Sequence, residues 1–96
     1  MSSCGAPAQG GPVAVAPGAT VIDGTVVHDG APLAGAYVRL HDASGEFTAE
    51  VVAGPGGEFV FYARPARWEL RVLSRHGATS STVDAVEGRT SATLEV

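Results

Sequence analysis

One thiol, Cys4, followed by Gly5, is the strongest nucleophile the sequence offers. A thiolate on a segment that can enter another protein's active site can accept a persulfide sulfur, which makes Cys4 the candidate sulfur acceptor. Gly5 would let the backbone pass close to a partner. No Lys, Arg or His lies near Cys4 in the chain to depress its pKa, so activation would come from that partner. The competing reading is an incidental cysteine near the chain start.

The second chemical feature is arginine. Arg39 and Arg71 occupy outward positions of two expected strands, with Tyr37 on the same face as Arg39. If those strands are neighbours, two guanidiniums share one surface, with Arg64, Arg67 and Arg75 near its ends. Such a face could hold a small anion such as thiosulfate, or a carboxylate-rich partner surface. The plainer use of the same side chains is cross-strand pairing with Glu50, Glu58 or Glu69. Tyr37 and Tyr62 both read as outward and could form an aromatic patch, or simply pack on their strand faces.

Other chemistry is weakly signalled. His28, His41 and His76 fall at strand ends or turns, and no two have ligand-like spacing on one element, so no metal site is expected. Asp29, Asp42 and His41 suggest a triad, but no serine sits on a G-x-S-x-G elbow. The chain has no Lys, which removes Schiff-base chemistry and a P-loop lysine. It has no Asn either, so a Lys–Asn isopeptide crosslink is impossible. The expectation is a non-enzyme with no catalytic residue and no cofactor.

Composition bounds the scaffold that must carry these residues. Ninety-six residues allow one domain, and 45% hydrophobic content suits a globular one. Six Arg against ten acids give a net charge of −4, which argues against nucleic-acid binding. A lone cysteine cannot form an internal disulfide. Apolar runs reach only four or five residues, short of a membrane span or a secretory core, so the expected location is cytoplasmic, with no membrane partner. All six aromatics, including Phe47, Phe59, Phe61 and Trp68, lie between residues 37 and 68, which places most of the core volume there.

The organising stretch is residues 35–62, which reads as three short strands and two tight turns. Residues 1–18 are rich in Gly and Pro and carry no charge, which predicts a flexible tail. The β-domain is expected over residues 19–96. Period-two alternation predicts seven strands, at residues 20–28, 35–41, 46–53, 58–62, 67–75, about 78–83 and 89–96. Ile22, Gly24 and Val26 share one face of the first; Asp23, Thr25 and Val27 share the other. Gly24 inside a strand signals a bulge or a close backbone approach. Val38 and Leu40 point inward, while Tyr37, Arg39 and His41 point outward. Phe47, Ala49 and Val51 share a face; Phe59, Phe61, Trp68, Leu70 and Val72 point inward. Val27, Val52 and Leu73 read as outward apolar residues. No window has helical spacing, so the fold class is an all-β, seven-stranded antiparallel sandwich.

Taken together, these residues resemble the carboxypeptidase regulatory-like, or transthyretin-like, sandwich over residues 20–77. The pattern is Ile22-x-Gly24-x-Val26, Pro32-Leu33-Ala34-Gly35-Ala36-x-Val38-x-Leu40, Gly57-x-Phe59-x-Phe61, and Trp68-x-Leu70-x-Val72. The segment Pro65-Ala66-Arg67 departs from the Pro-Gly turn usual there. The terminal signature of the transthyretin-type urate-pathway hydrolase is absent, since the chain ends Thr93-Leu94-Glu95-Val96. Nearly the full length also resembles a family of small actinobacterial proteins of unassigned function. That likeness lies in Val38-Arg39-Leu40, the run from Gly45 to Val51, Phe59-x-Phe61-Tyr62-Ala63, Trp68-x-Leu70-Arg71 and the early Cys4-Gly5 pair. Genes of that family typically neighbour thiosulfate sulfurtransferase genes. The resemblance therefore implies a non-catalytic accessory or interaction protein in cytoplasmic sulfur metabolism, with a thiosulfate sulfurtransferase as partner. The alternative is a generic binding module for a protein or carbohydrate with no sulfur role.

Overall fold

The computed structural model describes residues 16–96, so Cys4 and most of the expected tail lie outside the described residues. The described chain is all strand and turn. Its elements are β1 (Thr20–His28), β2 (Ala31–Pro32), β3 (Tyr37–His41), β4 (Phe47–Val52), β5 (Glu58–Ala63), β6 (Ala66–Ser74), β7 (Gly77–Ala85) and β8 (Gly88–Glu95). Two sheets of four strands face each other. In the first, β1 is central: β5 and β2 share one of its edges and β8 holds the other. The second has the order β4-β3-β6-β7.

Two features correct the sequence expectation. There are eight strands, not seven, because Asp29 and Gly30 adopt φ of 52° and 79°. A two-residue Asp-Gly loop with both φ positive suits the twist of a hairpin, so pairing resumes at once as His28 opposite Ala31 and Val27 opposite Pro32. Pro32 does not prevent this, because it ends a short strand at the sheet edge. The sheets are also not wholly antiparallel: β8 runs parallel to β1, in register from Thr20 opposite Gly88 to Val27 opposite Glu95.

The period-two alternation sorts the core. Ile22, Val26, Phe59, Phe61 and Leu94 of the first sheet meet Val38, Leu40, Val51, Trp68, Leu70 and Val72 of the second, all buried in one cluster. Burying each such large side chain stabilises by about 1.5–3 kcal/mol. The Trp68 indole N–H donates to the Arg64 carbonyl at 3.0 Å, so its one polar atom is satisfied, and the Arg64 guanidinium lies 5.0 Å from the ring centre.

Gly24 is a close approach. A Cβ there would lie 1.9 Å from the Ala92 carbonyl oxygen and 2.7 Å from the Phe59 ring. The missing side chain lets β8 and Phe59 close on β1 together.

One side chain changes face, and another is buried on the face where it was expected to be exposed. The β3–β4 register shifts between Leu40 and His41, so Ala49 faces Leu40 but Phe47 faces His41. The extra residue turns Phe47 outward, where it is 55% exposed instead of following Ala49 and Val51. His41, expected outward, is buried: the Phe47 ring stands edge-on to it at 5.8 Å and the Gly45 carbonyl lies 3.1 Å from its Nδ1.

Candidate functional site

The outer face of β4-β3-β6-β7 is the surface on which the strand register assembles the sequence-selected residues. Residues facing each other across the sheet form rows. One row is Val52, Tyr37, Leu73 and Ala78, running across all four strands. The next is Glu50, Arg39, Arg71 and Ser80. A third is Phe47, His41, Glu69 and Thr82.

The first row is an apolar strip in water. Val52, Tyr37 and Leu73 are 48%, 49% and 52% exposed, and no element among the described residues covers them. Large apolar side chains scattered singly are ordinary on a protein surface; adjacent ones in register are unusual. The β3–β4 and β6–β7 pairings and the long-range β3–β6 pairing set the strip, since a slip of one residue would send Tyr37 and Leu73 into the core.

The second row brings Arg39 and Arg71 directly opposite each other. Like charges facing across strands repel, and each guanidinium is matched by a carboxylate. Arg39 Nε donates to Glu50 at 2.6 Å, and Arg71 donates to Glu69 at 2.9 Å. These are half-exposed pairs worth about 0.2–1 kcal/mol each in water. The row is therefore charge-balanced, with guanidinium N–H groups beside an apolar strip. A shallow groove of about 470 Å³ runs along it, between Arg39, Glu69, Arg71, Leu73 and β7. That combination suits a protein surface with mixed charge and apolar anchors better than a lone anion.

The remaining sequence candidates do not join this face as a site. Arg67 pairs with Asp84 at its far end, Arg64 lies over Trp68, and the Arg75 Nε lies 3.4 Å from His76. Glu58 accepts from the Gly56 N–H at 2.7 Å and pairs with no arginine. Tyr62 lies on β5 in the opposite sheet, so it forms no patch with Tyr37. His28 and His76 stack with ring centres 4.0 Å apart and 9° between planes, joining the end of β1 to the β6–β7 turn. Parallel rings do not aim their nitrogens at one point. Among the described residues, no three His, Cys, Asp or Glu side chains are placed to hold a metal ion. Nor does any helix there have the length and apolarity to cross a membrane.

Sequence reasoning missed a polar cluster on the outer face of the first sheet. Asp23 is buried although its strand face points outward, because Arg89 and Ser91 of β8 close over it. The Arg89 Nε donates to Asp23 Oδ2, and the Ser91 hydroxyl donates to Oδ1 at 2.6 Å. The partners are more than sixty residues away, and only the parallel β1–β8 register reveals them.

Known proteins place the chain among mycobacterial relatives. "Uncharacterized protein Rv0814c" and "Uncharacterized protein Rv3118" of Mycobacterium tuberculosis (strain H37Rv) are each 54% identical over 65 residues. The match covers 67% of this chain and 65% of each relative, so the chain spans just under two thirds of their length. A Mycolicibacterium smegmatis protein, also named only as uncharacterized, is 52% identical over 67% of this chain and 72% of its own length. A family model described as "Protein of unknown function (DUF1416)" matches residues 4–96, and the chain belongs to that family.

Proposed function

We propose that this chain is a non-catalytic interaction protein that docks a partner protein on the outer face of β4-β3-β6-β7. The observation that carries the reading is the exposed strip of Val52, Tyr37 and Leu73 in register beside the balanced Arg39–Glu50 and Arg71–Glu69 pairs. Apolar anchors rimmed by charge match the anatomy of protein docking surfaces. The transthyretin-like kinship and a cytoplasmic location belong to the same reading. The partner is a thiosulfate sulfurtransferase, on the strength of the resemblance to a family encoded beside such enzymes. In that role the Cys4 thiolate attacks the outer sulfur of the partner's persulfide. A new Cys4–sulfur bond forms, the partner's sulfur–sulfur bond breaks, and the partner's thiolate leaves with the electron pair; no external oxidant is needed.

The test mixes the full chain with the sulfurtransferase of the same genome and thiosulfate. Two readouts follow: complex formation by calorimetry and the intact mass of the chain. A complex lost on Leu73→Glu, and an added mass of about 32 Da lost on Cys4→Ala, support the proposal. A complex without the adduct leaves docking in place and removes sulfur transfer. Absence of both overturns the sulfurtransferase assignment.

A further inference from the structure

The free edge of β8 is built to meet itself. The Gly88 N–H donates to the Ala19 carbonyl at 2.8 Å, and the Val96 N–H donates to the Val27 carbonyl at 2.9 Å. Main-chain groups of successive strand residues point to opposite edges, so the even-numbered residues of β8 serve β1. Arg89, Ser91, Thr93 and Glu95 therefore turn their N–H and C=O groups to the open edge, where no strand pairs with them among the described residues. β8 contains no Pro and no Lys, and its charged residues, Arg89 and Glu95, are of opposite sign.

We propose that two copies of this chain associate by antiparallel pairing of β8 with β8, about a two-fold axis at Ala92. In that register Arg89 lies opposite Glu95 of the second copy, and Ser91 lies opposite Thr93. All four have outward main-chain groups, so each facing pair is of the type that exchanges two hydrogen bonds. Charge selects the register. Moving the axis one residue either way sets Glu95 against Ser91 or against Glu87 and loses the ion pair. Arg89 is prepared for the contact: Asp23 holds its Nε along the outer face, while the side chain remains 55% exposed. Ordering before association lowers the entropic cost of binding. The edge strands of the other sheet, β4 and β7, lack this complement, because each carries one charged residue, Glu50 or Asp84, and no basic one. Pairing through β8 leaves the outer face of β4-β3-β6-β7 open, so it is independent of the docking proposed above.

Sedimentation velocity of the full chain over a concentration series reads the outcome, with twice 9.7 kDa expected for the dimer. Thr93→Pro removes an N–H that faces the open edge and spares the ladder to β1, so a folded monomer is expected. Glu95→Arg sets Arg against Arg at both ends of the contact and should weaken the dimer about a hundredfold. A wild-type chain that stays monomeric up to about 1 mM overturns the proposal. So does a dimer that Glu95→Arg leaves unchanged, whether or not Thr93→Pro folds.

Discussion

Replacing Gly24 by alanine puts a methyl group where the structure has no room. The new Cβ would stand 1.9 Å from the Ala92 carbonyl oxygen, while real Cβ contacts essentially never fall below 3.0 Å. Relief requires β1 and β8 to separate by at least 3.0 − 1.9 = 1.1 Å at this point. The obstacle is backbone, so rotating a side chain cannot supply the movement. The Phe59 ring, 2.7 Å from the same position, must also shift within a packed core. Opening the parallel ladder there weakens the two flanking hydrogen bonds, each worth about 1 kcal/mol net. Core overpacking adds about 1–3 kcal/mol. A total near 3 kcal/mol is a large part of the roughly 5–14 kcal/mol available to a domain of this size. It should lower the melting temperature by about 12–24 °C. The comparison variant is Gly45→Ala, where φ is +89° but no atom lies within 4 Å. That change carries only the strain of a left-handed alanine, about 1–2 kcal/mol. Urea titrations followed by circular dichroism should show Gly24→Ala as clearly the worse of the two. Equal losses, or a Gly24→Ala variant within about 0.5 kcal/mol of wild type, would refute the close-approach reasoning.

Further expectations follow from single contacts. Trp68→Ala should cost about 3–5 kcal/mol in urea unfolding, because a buried indole leaves a large cavity between the sheets. Asp23→Ala strips the Ser91 hydroxyl of its acceptor and frees Arg89; a loss of about 1–2 kcal/mol is expected, and a stability equal to wild type would show the cluster to be energetically idle. Asp42 accepts from the Ser44 hydroxyl, its largest influence, and from the Glu46 and Ser44 N–H groups, which hold its carboxyl below the ordinary 3.8. The unfolded chain therefore takes up this proton more readily. The stabilisation is full above pH 3.8 and is lost as pH falls through the depressed value. The gap in urea midpoint between wild type and Asp42→Ala should accordingly be present at neutral pH and narrow as pH falls below 3.8. Leu73→Glu should change stability by less than about 0.5 kcal/mol, since Leu73 is half exposed, so any loss of partner binding reports the surface itself.

Local periodicity determined much of this protein. The alternation in β1, β3, β5 and β6 is enough to separate Ile22, Val38, Phe59 and Trp68 from Asp23, Arg39, Tyr62 and Arg71, because side chains on a strand point to opposite faces at every step. Gly24 was legible as a bulge or a close approach, the common uses of glycine inside a strand, and the structure selects the close approach. The outward positions of Tyr37, Arg39, Arg71, Val52 and Leu73 were equally readable. The alignment of Val52, Tyr37 and Leu73 into one strip was not, because it depends on which strands are neighbours and in what register.

Tertiary structure decided what local alternation cannot carry. A shift of one residue opposite His41 turned Phe47 outward and buried the histidine, and no sequence period marks such an insertion. The parallel pairing of β8 with β1 joins segments more than sixty residues apart; it alone buries Asp23 beneath Arg89 and Ser91 and leaves β8 with an open edge. Strand direction is set by how two sheets close around a shared core, a property of the whole chain that no single strand encodes.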